Sequence, residues 1–162
     1  MEIRPAEVSD AGALAAGMKA VVDEGRWLET QSDRPVEQLT EMFRSGLEEE
    51  HILFVVEKGG EIVGSIGIHP TRVHGVHSLG MWMLRDFRGQ GWGRRLVQAA
   101  LDEAEARGIR KVELEVFPDN GRAIALYAAC GFEIEGLKRD HYPRLDGTYR
   151  SAVLMARFLN PR

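Results

Sequence analysis

The sequence predicts one α/β domain with a mixed central sheet flanked by helices. Three observations carry that expectation. Apolar runs at 52–57 and 62–69 flank Lys58-Gly59-Gly60-Glu61, which is a hairpin signal. Residues 111–116 alternate, with Val112, Leu114 and Val116 on one face. Leu96, Val97, Ala100, Leu101 and Ala104 recur at helical spacing. With 162 residues, 44% hydrophobic and 28% charged, and a net charge of −4, the chain suits a sizeable core and not a disordered segment. No repeat, low-complexity tract or linker divides it, so 1–162 is read as a single domain.

In chain order, residues 2–4 are too short to judge alone, and Ser9-Asp10 offers an N-cap to a helix bearing Leu14, Met18, Val21 and Val22. Residues 25–34 carry no periodicity and read as a loop. Pro35 fits the first position of a second helix with Val36, Leu39, Phe43 and Leu47 on its buried face. After the hairpin, 77–84 reads as a third strand. A glycine-rich turn follows, then a helix closed by Gly108. Asn120 caps a last helix carrying Ala123, Ile124, Leu126 and Tyr127, with Gly131 and Phe132 composed as a Schellman ending. Strands at 132–137 and 148–157 complete the sheet.

Several function classes lose support at this level. The apolar runs fall short of the roughly 18 residues that a membrane span needs. No basic segment followed by an apolar one marks the chain for export. The single cysteine, Cys130, has no internal partner, which fits a reducing cytosol, and a cytoplasmic location is expected. A pI near 5.8 argues against broad binding to nucleic acid. His69, His74 and His77 lack the company of a metal site, and no metal is expected.

The feature richest in chemistry is Arg88-Gly89-Gln90-Gly91-Trp92-Gly93, between a strand and a helix. Backbone N–H groups at a helix start are unsatisfied and carry the positive end of its dipole. Glycines let an anion approach that backbone, so the turn is suited to a pyrophosphate. The dinucleotide fingerprint fails because the third glycine position is Arg94, and the Walker lysine and hydroxyl are absent. An ordinary glycine-rich turn without a ligand is the alternative.

Arg88-x-x-Gly91-x-Gly93 after a strand resembles the acetyl-CoA signature of the GNAT N-acetyltransferase superfamily, and 120–132 resembles its second block at the right distance. The opening Ile3-Arg4-Pro5-Ala6 with Asp10 resembles its usual start. Within the superfamily, residues 139–143 with Asp146-Gly147 and Met155-Ala156 look like the ribosomal-protein alanine acetyltransferases and the small amino-acid or amine acetyltransferases.

The resemblance implies a GNAT-like acyl-CoA N-acyltransferase fold and direct acetyl transfer from acetyl-CoA to a primary amine in a ternary complex. It implies that the third-to-fifth strands splay and that the thioester lies in the gap. Backbone groups of Met81, Trp82 and Met83 would meet pantetheine and the thioester oxygen, while Arg88, Gly89, Gln90, Gly91, Trp92, Gly93 and Arg94 would hold the pyrophosphate. Asn120 matches a CoA-contacting position, although helix capping explains it equally well. Tyr127 matches the general acid and Glu115 a base. Core packing is the alternative for Tyr127, and for Glu115 it is an ion pair with Lys111 or Arg110. The basic run Lys138, Arg139, Arg144 reads as a solvated loop, with an acidic acceptor group or the CoA 3′-phosphate as the alternative partner. His77 is a further candidate to face the acceptor, and Cys130 reads as a small buried apolar residue.

The acceptor is expected to be a small-molecule or peptide amine, with no nucleic acid and no membrane, and a homodimer is left open. A non-catalytic acyl-CoA-binding or regulatory domain of the same fold is the competing reading. Tyr127 speaks against it, since a binder needs no placed acid.

Overall fold

A computed structural model describes residues 1–160; Pro161 and Arg162, the end of the expected 1–162 domain, lie outside the described residues. Its strands are β1 (Glu2–Pro5), β2 (Ile52–Lys58), β3 (Glu61–Pro70), β4 (Val76–Met83), β5 (Lys111–Val116), β6 (Glu133–Pro143) and β7 (Tyr149–Phe158). The helices are α1 (Ala11–Val22), α2 (Val36–Glu48), α3 (Trp92–Ala106) and α4 (Gly121–Ala129), with 3-10 turns at Val8–Asp10 and Arg85–Phe87. The strands form one sheet in the order β1-β2-β3-β4-β5-β7-β6. The β4–β5 pair is parallel and its neighbours are antiparallel.

The β2–β3 hairpin closes as its sequence suggests. Gly59 and Gly60 adopt φ of 58° and 85°, the positive pair that a two-residue I′ turn demands. The sheet then divides two cores by strand alternation. Val55, Ile62 and Trp82 join the side chains of α1 and α2, whereas the adjacent Val56, Val63 and Met83 join those of α3 and α4. α4 ends as expected: Gly131 N–H donates to Ala128 C=O and Phe132 N–H to Tyr127 C=O, both at 3.0 Å, with Gly131 at φ 84°.

Four expectations shift. Pro35 is the N-cap of α2 and not its first helical residue. Asp10 precedes α1 without capping it through its side chain. Its carboxylate instead accepts from Glu7 N–H at 2.8 Å and from the Arg4 guanidinium at 2.8 and 3.0 Å. The third strand runs 76–83, with Leu84 opening the following 3-10 turn. The largest difference is β6, which continues past Leu137 to Pro143 through two register irregularities. An edge strand, bonded on one side and exposed for most of its length, needs no apolar alternation, so its charged second half resembles a loop in sequence.

Trp82 fixes how closely α1 approaches the sheet. A Cβ added at Gly17 would lie 2.2 Å from the Trp82 ring. Glycine at this helical position is therefore required by contact, since its backbone is ordinary helix. Gly17→Ala is expected to destabilise the fold by about 1–3 kcal/mol, the range typical of overpacking. Urea unfolding measures this, and an unchanged midpoint would show that the ring moves aside freely.

Candidate active site

The parallel pairing of β4 and β5 covers Val76↔Lys111, His77↔Val112 and Ser78↔Glu113 only, although β4 runs on to Met83 and β5 to Val116. The strands part beyond Ser78, while β3 stays paired with β4 as far as Met83. Leu84 N–H donates to Val63 C=O at 2.9 Å, so its backbone faces β3. By the two-residue period of a strand, Trp82 shares that side, and the N–H and C=O groups of Met81 and Met83 face the gap. Their side chains pack in the α3 core and that of Trp82 in the other, which leaves the backbone to serve a ligand. His77 lies in the paired section and not at the gap. Its buried Nδ1 has no hydrogen-bond partner, and burial, then His51, pushes its pKa down.

At the end of β4 the chain enters the glycine-rich turn. Gly89 and Gly91 take φ of 73° and 85°, the left-handed region where a side chain is strained. Gly91 is the N-cap of α3 and has no side chain to satisfy the first N–H groups of the helix. A Cβ at Gly91 would meet nothing within 4 Å, so the space over the helix start is open. Gly93 has another reason: a Cβ there would lie 3.2 Å from Leu126 and 3.7 Å from Met81, so α3, α4 and the gap edge converge on it.

Several side chains of the turn are engaged elsewhere. Gln90 Nε2 donates to Asp86 C=O at 2.8 Å, and the Arg95 guanidinium stacks over Trp92 at 4.3 Å. Arg88 turns away from the helix start, its Nε donating to Met83 C=O at 2.8 Å and its other nitrogens to Glu24 at 2.9 and 2.7 Å. Arg94 is exposed at the helix start, and Arg122 reaches the same turn, its Nη1 3.5 Å from where a Gly89 Cβ would stand.

Glu115 projects from β5, and the partners expected for it are not the ones found. Lys111 pairs with Glu135 at 2.8 Å. Glu115 Oε1 accepts from Lys138 and Oε2 from the Tyr142 hydroxyl. Burial pushes the Glu115 carboxyl up, but the bonds from Lys138 and Tyr142 outweigh it and hold it below the usual glutamate range. Burial and then Glu115 push the Tyr142 phenol up. Lys138 and Arg139 thus belong to β6 and not to a solvated loop, and Arg144 donates to Glu29 C=O at 3.0 Å. Glu115 and Tyr142 line a narrow crevice with Trp27, Glu29 and Phe117. A broader hollow of about 410 Å³ along residues 29–38 shares Glu29 with it.

In α4, Asn120 Oδ1 accepts from Ala123 N–H at 3.2 Å, a true N-cap. Tyr127 lies two turns on, only 6% exposed, its ring edge-on to Phe132 at 5.7 Å. Burial foremost, then Cys130 and Glu29, pushes its phenol pKa up, so it is protonated across the physiological range. Cys130, at the helix end, is buried as expected.

The pattern of the acetyltransferase (GNAT) family matches residues 20–132, across both the turn and α4. The chain belongs to that family. It is 42% identical over 71 residues to the [Ribosomal protein bS18]-alanine N-acetyltransferase of Escherichia coli (strain K12), covering 44% of this chain and 47% of that one. It is 40% identical over 89 residues to the N-alpha-acetyltransferase RimI of Mycobacterium tuberculosis, covering 52% and 53%. The chain thus spans about half the length of these curated relatives. A crystal structure of a GNAT-family acetyltransferase from Streptococcus pneumoniae superposes with a TM-score of 0.84 at 25% identity over 98% of this chain and 99% of that one.

Against this GNAT frame, the structure brings Met81, Met83, Gly93 and the α4 helix of Tyr127 to one gap. It commits the side chains of Arg88 and Gln90 to protein partners. Sequence reading missed Arg122, Trp27 and Glu24, and gave neither Lys138 nor Tyr142 to Glu115. No periodicity marks those residues; the one available signal was an acid and an indole in an otherwise patternless loop. Lys138→Met is expected to raise the titration midpoint of Glu115, because burial then acts against the Tyr142 hydrogen bond and the weaker influence of His141 alone. Carboxyl carbon NMR of the variant measures it, and an unmoved midpoint would show that Tyr142 alone suffices.

Proposed function

We propose that this GNAT-family protein transfers the acetyl group of acetyl-CoA to a primary amine, with the N-terminal amine of a protein or peptide as acceptor. The observation that carries the reading is the uncapped start of α3 beside the opening between β4 and β5. Two relatives, named as an alanine N-acetyltransferase and an N-alpha-acetyltransferase, support an N-terminal amine. Among the described residues no helix is long and apolar enough to cross a membrane.

Acetyl-CoA, when bound, supplies an activated acetyl group and a thiolate leaving group. The free N–H groups of Trp92, Gly93 and Arg94 meet its diphosphate, with Arg122 as a further cation. Backbone N–H groups of Met81 and Met83 face the gap and serve as donors to the thioester oxygen as charge develops there. An alkylammonium has no lone pair, so it must lose a proton before attack. Glu115, held ionised, accepts that proton through water.

As the new N–C bond forms and the C–S bond breaks, Tyr127 donates its proton to sulfur. A free thiol, at ~8.5, is more acidic than a free phenol, at ~10. Burial raises the Tyr127 phenol further, so acidity does not drive the transfer, and the reading rests on the hydroxyl standing where charge develops on sulfur. Asn120 holds the start of α4 and thereby the placement of Tyr127.

Thiol release with free amino acids, polyamines, aminoglycosides and N-terminal peptides tests the reading. Release with peptides is expected, and none with any amine would leave only a binding domain. In the same assay Tyr127→Phe should lower turnover by about 10²- to 10⁴-fold with acetyl-CoA affinity little changed. A folded variant at the wild-type rate would make Tyr127 a packing residue.

Gly91→Asp should weaken acetyl-CoA binding by at least about tenfold, or ~1.4 kcal/mol, relative to Gly91→Asn. Asn and Asp both tolerate the left-handed backbone, so the difference isolates negative charge at the helix start. Equal affinities by calorimetry would move the diphosphate elsewhere.

A further inference from the structure

Glu24 follows α1 and lies 64 residues from Arg88, yet the two form a two-point fork, at 2.9 Å to Oε2 and 2.7 Å to Oε1. The same guanidinium donates through Nε to Met83 C=O, the last residue of β4 at the gap, at 2.8 Å. Glu24 Oε2 also accepts from the Trp27 indole N–H at 3.0 Å. The Trp27 ring lines the crevice that holds Glu115 and Tyr142, and Arg26 lies over it at 4.3 Å. Glu24 and Arg88 are mostly shielded, with side chains 16% and 21% exposed. Arg88 holds Glu24 well below the usual glutamate range.

Each bond in this chain is directional. A planar guanidinium that bonds a carbonyl through Nε and a carboxylate through both remaining nitrogens has one orientation available. It ties the connector at Glu24 to the end of β4 and to the backbone that enters the glycine-rich turn. The carboxylate then orients Trp27, since the indole has a single donor. The crevice wall and the turn are parts of one hydrogen-bonded unit, although α1 packs on the opposite face of the sheet from α3.

We infer that Glu24 is a positioning residue that ties the acceptor-side wall, through Trp27, to the cofactor turn, through Arg88. The inference rests on the acetyltransferase reading above and adds to it that the two substrates are coupled. Ordering of the turn by acetyl-CoA holds Arg88, which holds Glu24 and so Trp27, and the amine meets a wall already in place.

Two readouts test the tie in the full chain. Hydrogen exchange of residues 23–30 is followed with and without acetyl-CoA, in wild type and in Glu24→Gln. Acetyl-CoA is expected to raise protection of this segment in wild type and to leave it unchanged in the variant. Steady-state kinetics use a synthetic hexapeptide with N-terminal alanine or, if that is not acetylated, the best amine of the panel. Glu24→Gln should raise the KM for the amine by about 5- to 20-fold with kcat and acetyl-CoA affinity within about threefold, a coupling of ordinary size.

Trp27→Phe, which keeps an aromatic ring but removes the donor and part of the ring's bulk, should reproduce the KM effect, and the double variant should add nothing. Protection on acetyl-CoA binding that survives in Glu24→Gln, or is absent in wild type, overturns the inference. So does a loss of acetyl-CoA affinity equal to the rise in KM, which would make Glu24 a support of the turn alone. A wild-type protein that acetylates no amine overturns the acetyltransferase reading instead, and the exchange comparison still decides the tie.

Discussion

Backbone groups of a strand must be paired or hydrated, so the parting of β4 from β5 after Ser78 and Glu113 constrains everything near it. On the β4 side, Met81 and Met83 are left with polar groups facing a gap, and Arg88 already takes the Met83 carbonyl. On the β5 side, Glu115 and Val116 become walls of a crevice instead of neighbours of β4. The turn into α3 follows directly, and Gly93 lets α4 close over it. A sheet that stayed paired would bury these donors in a ladder and leave no opening beside the start of α3.

The charged groups around the gap contribute position more than stability. The Glu115–Lys138–Tyr142 and Arg88–Glu24–Trp27 sets are partly open to solvent, where ion pairs add typically below ~1 kcal/mol each. What they restrict is orientation. Glu115 is held ionised from two directions, and Arg88 is committed to protein partners, so what the turn presents is the backbone N–H groups of the α3 start, with Arg94 exposed there and Arg122 close by. That division follows from the geometry of each group: N–H groups at a helix start are fixed and need no reorganisation, whereas a long side chain must be held.

The strands and helices are legible in the sequence where one element sets its own pattern. The 58–61 hairpin, the alternation at 111–116, the Asn120 cap and the Gly131-Phe132 ending each involve residues within about five positions of one another, and each appears where expected. The glycine-rich turn is legible for the same reason, since its conformation is local and only glycine adopts it freely. β6 is the counterexample. Its second half owes its strand character to pairing with β7, and a charged sequence gives no local sign of a neighbour it has not yet met.

The candidate site divides along the same line. From the residues alone came the α/β class, the helix start suited to an anion, and Tyr127 on the face of Asn120. Tertiary structure decided which acids and bases meet: Lys138 and not Lys111 at Glu115, Arg4 and not a helix end at Asp10, and Glu24 at Arg88. Those pairs join residues 23, 6 and 64 positions apart. A lysine or arginine side chain reaches whichever carboxylate packing brings within about 3 Å, and many carboxylates satisfy its chemistry equally. Local propensity determines the elements and their caps; the choice among equivalent partners is made only when the sheet and its two layers of helices come together.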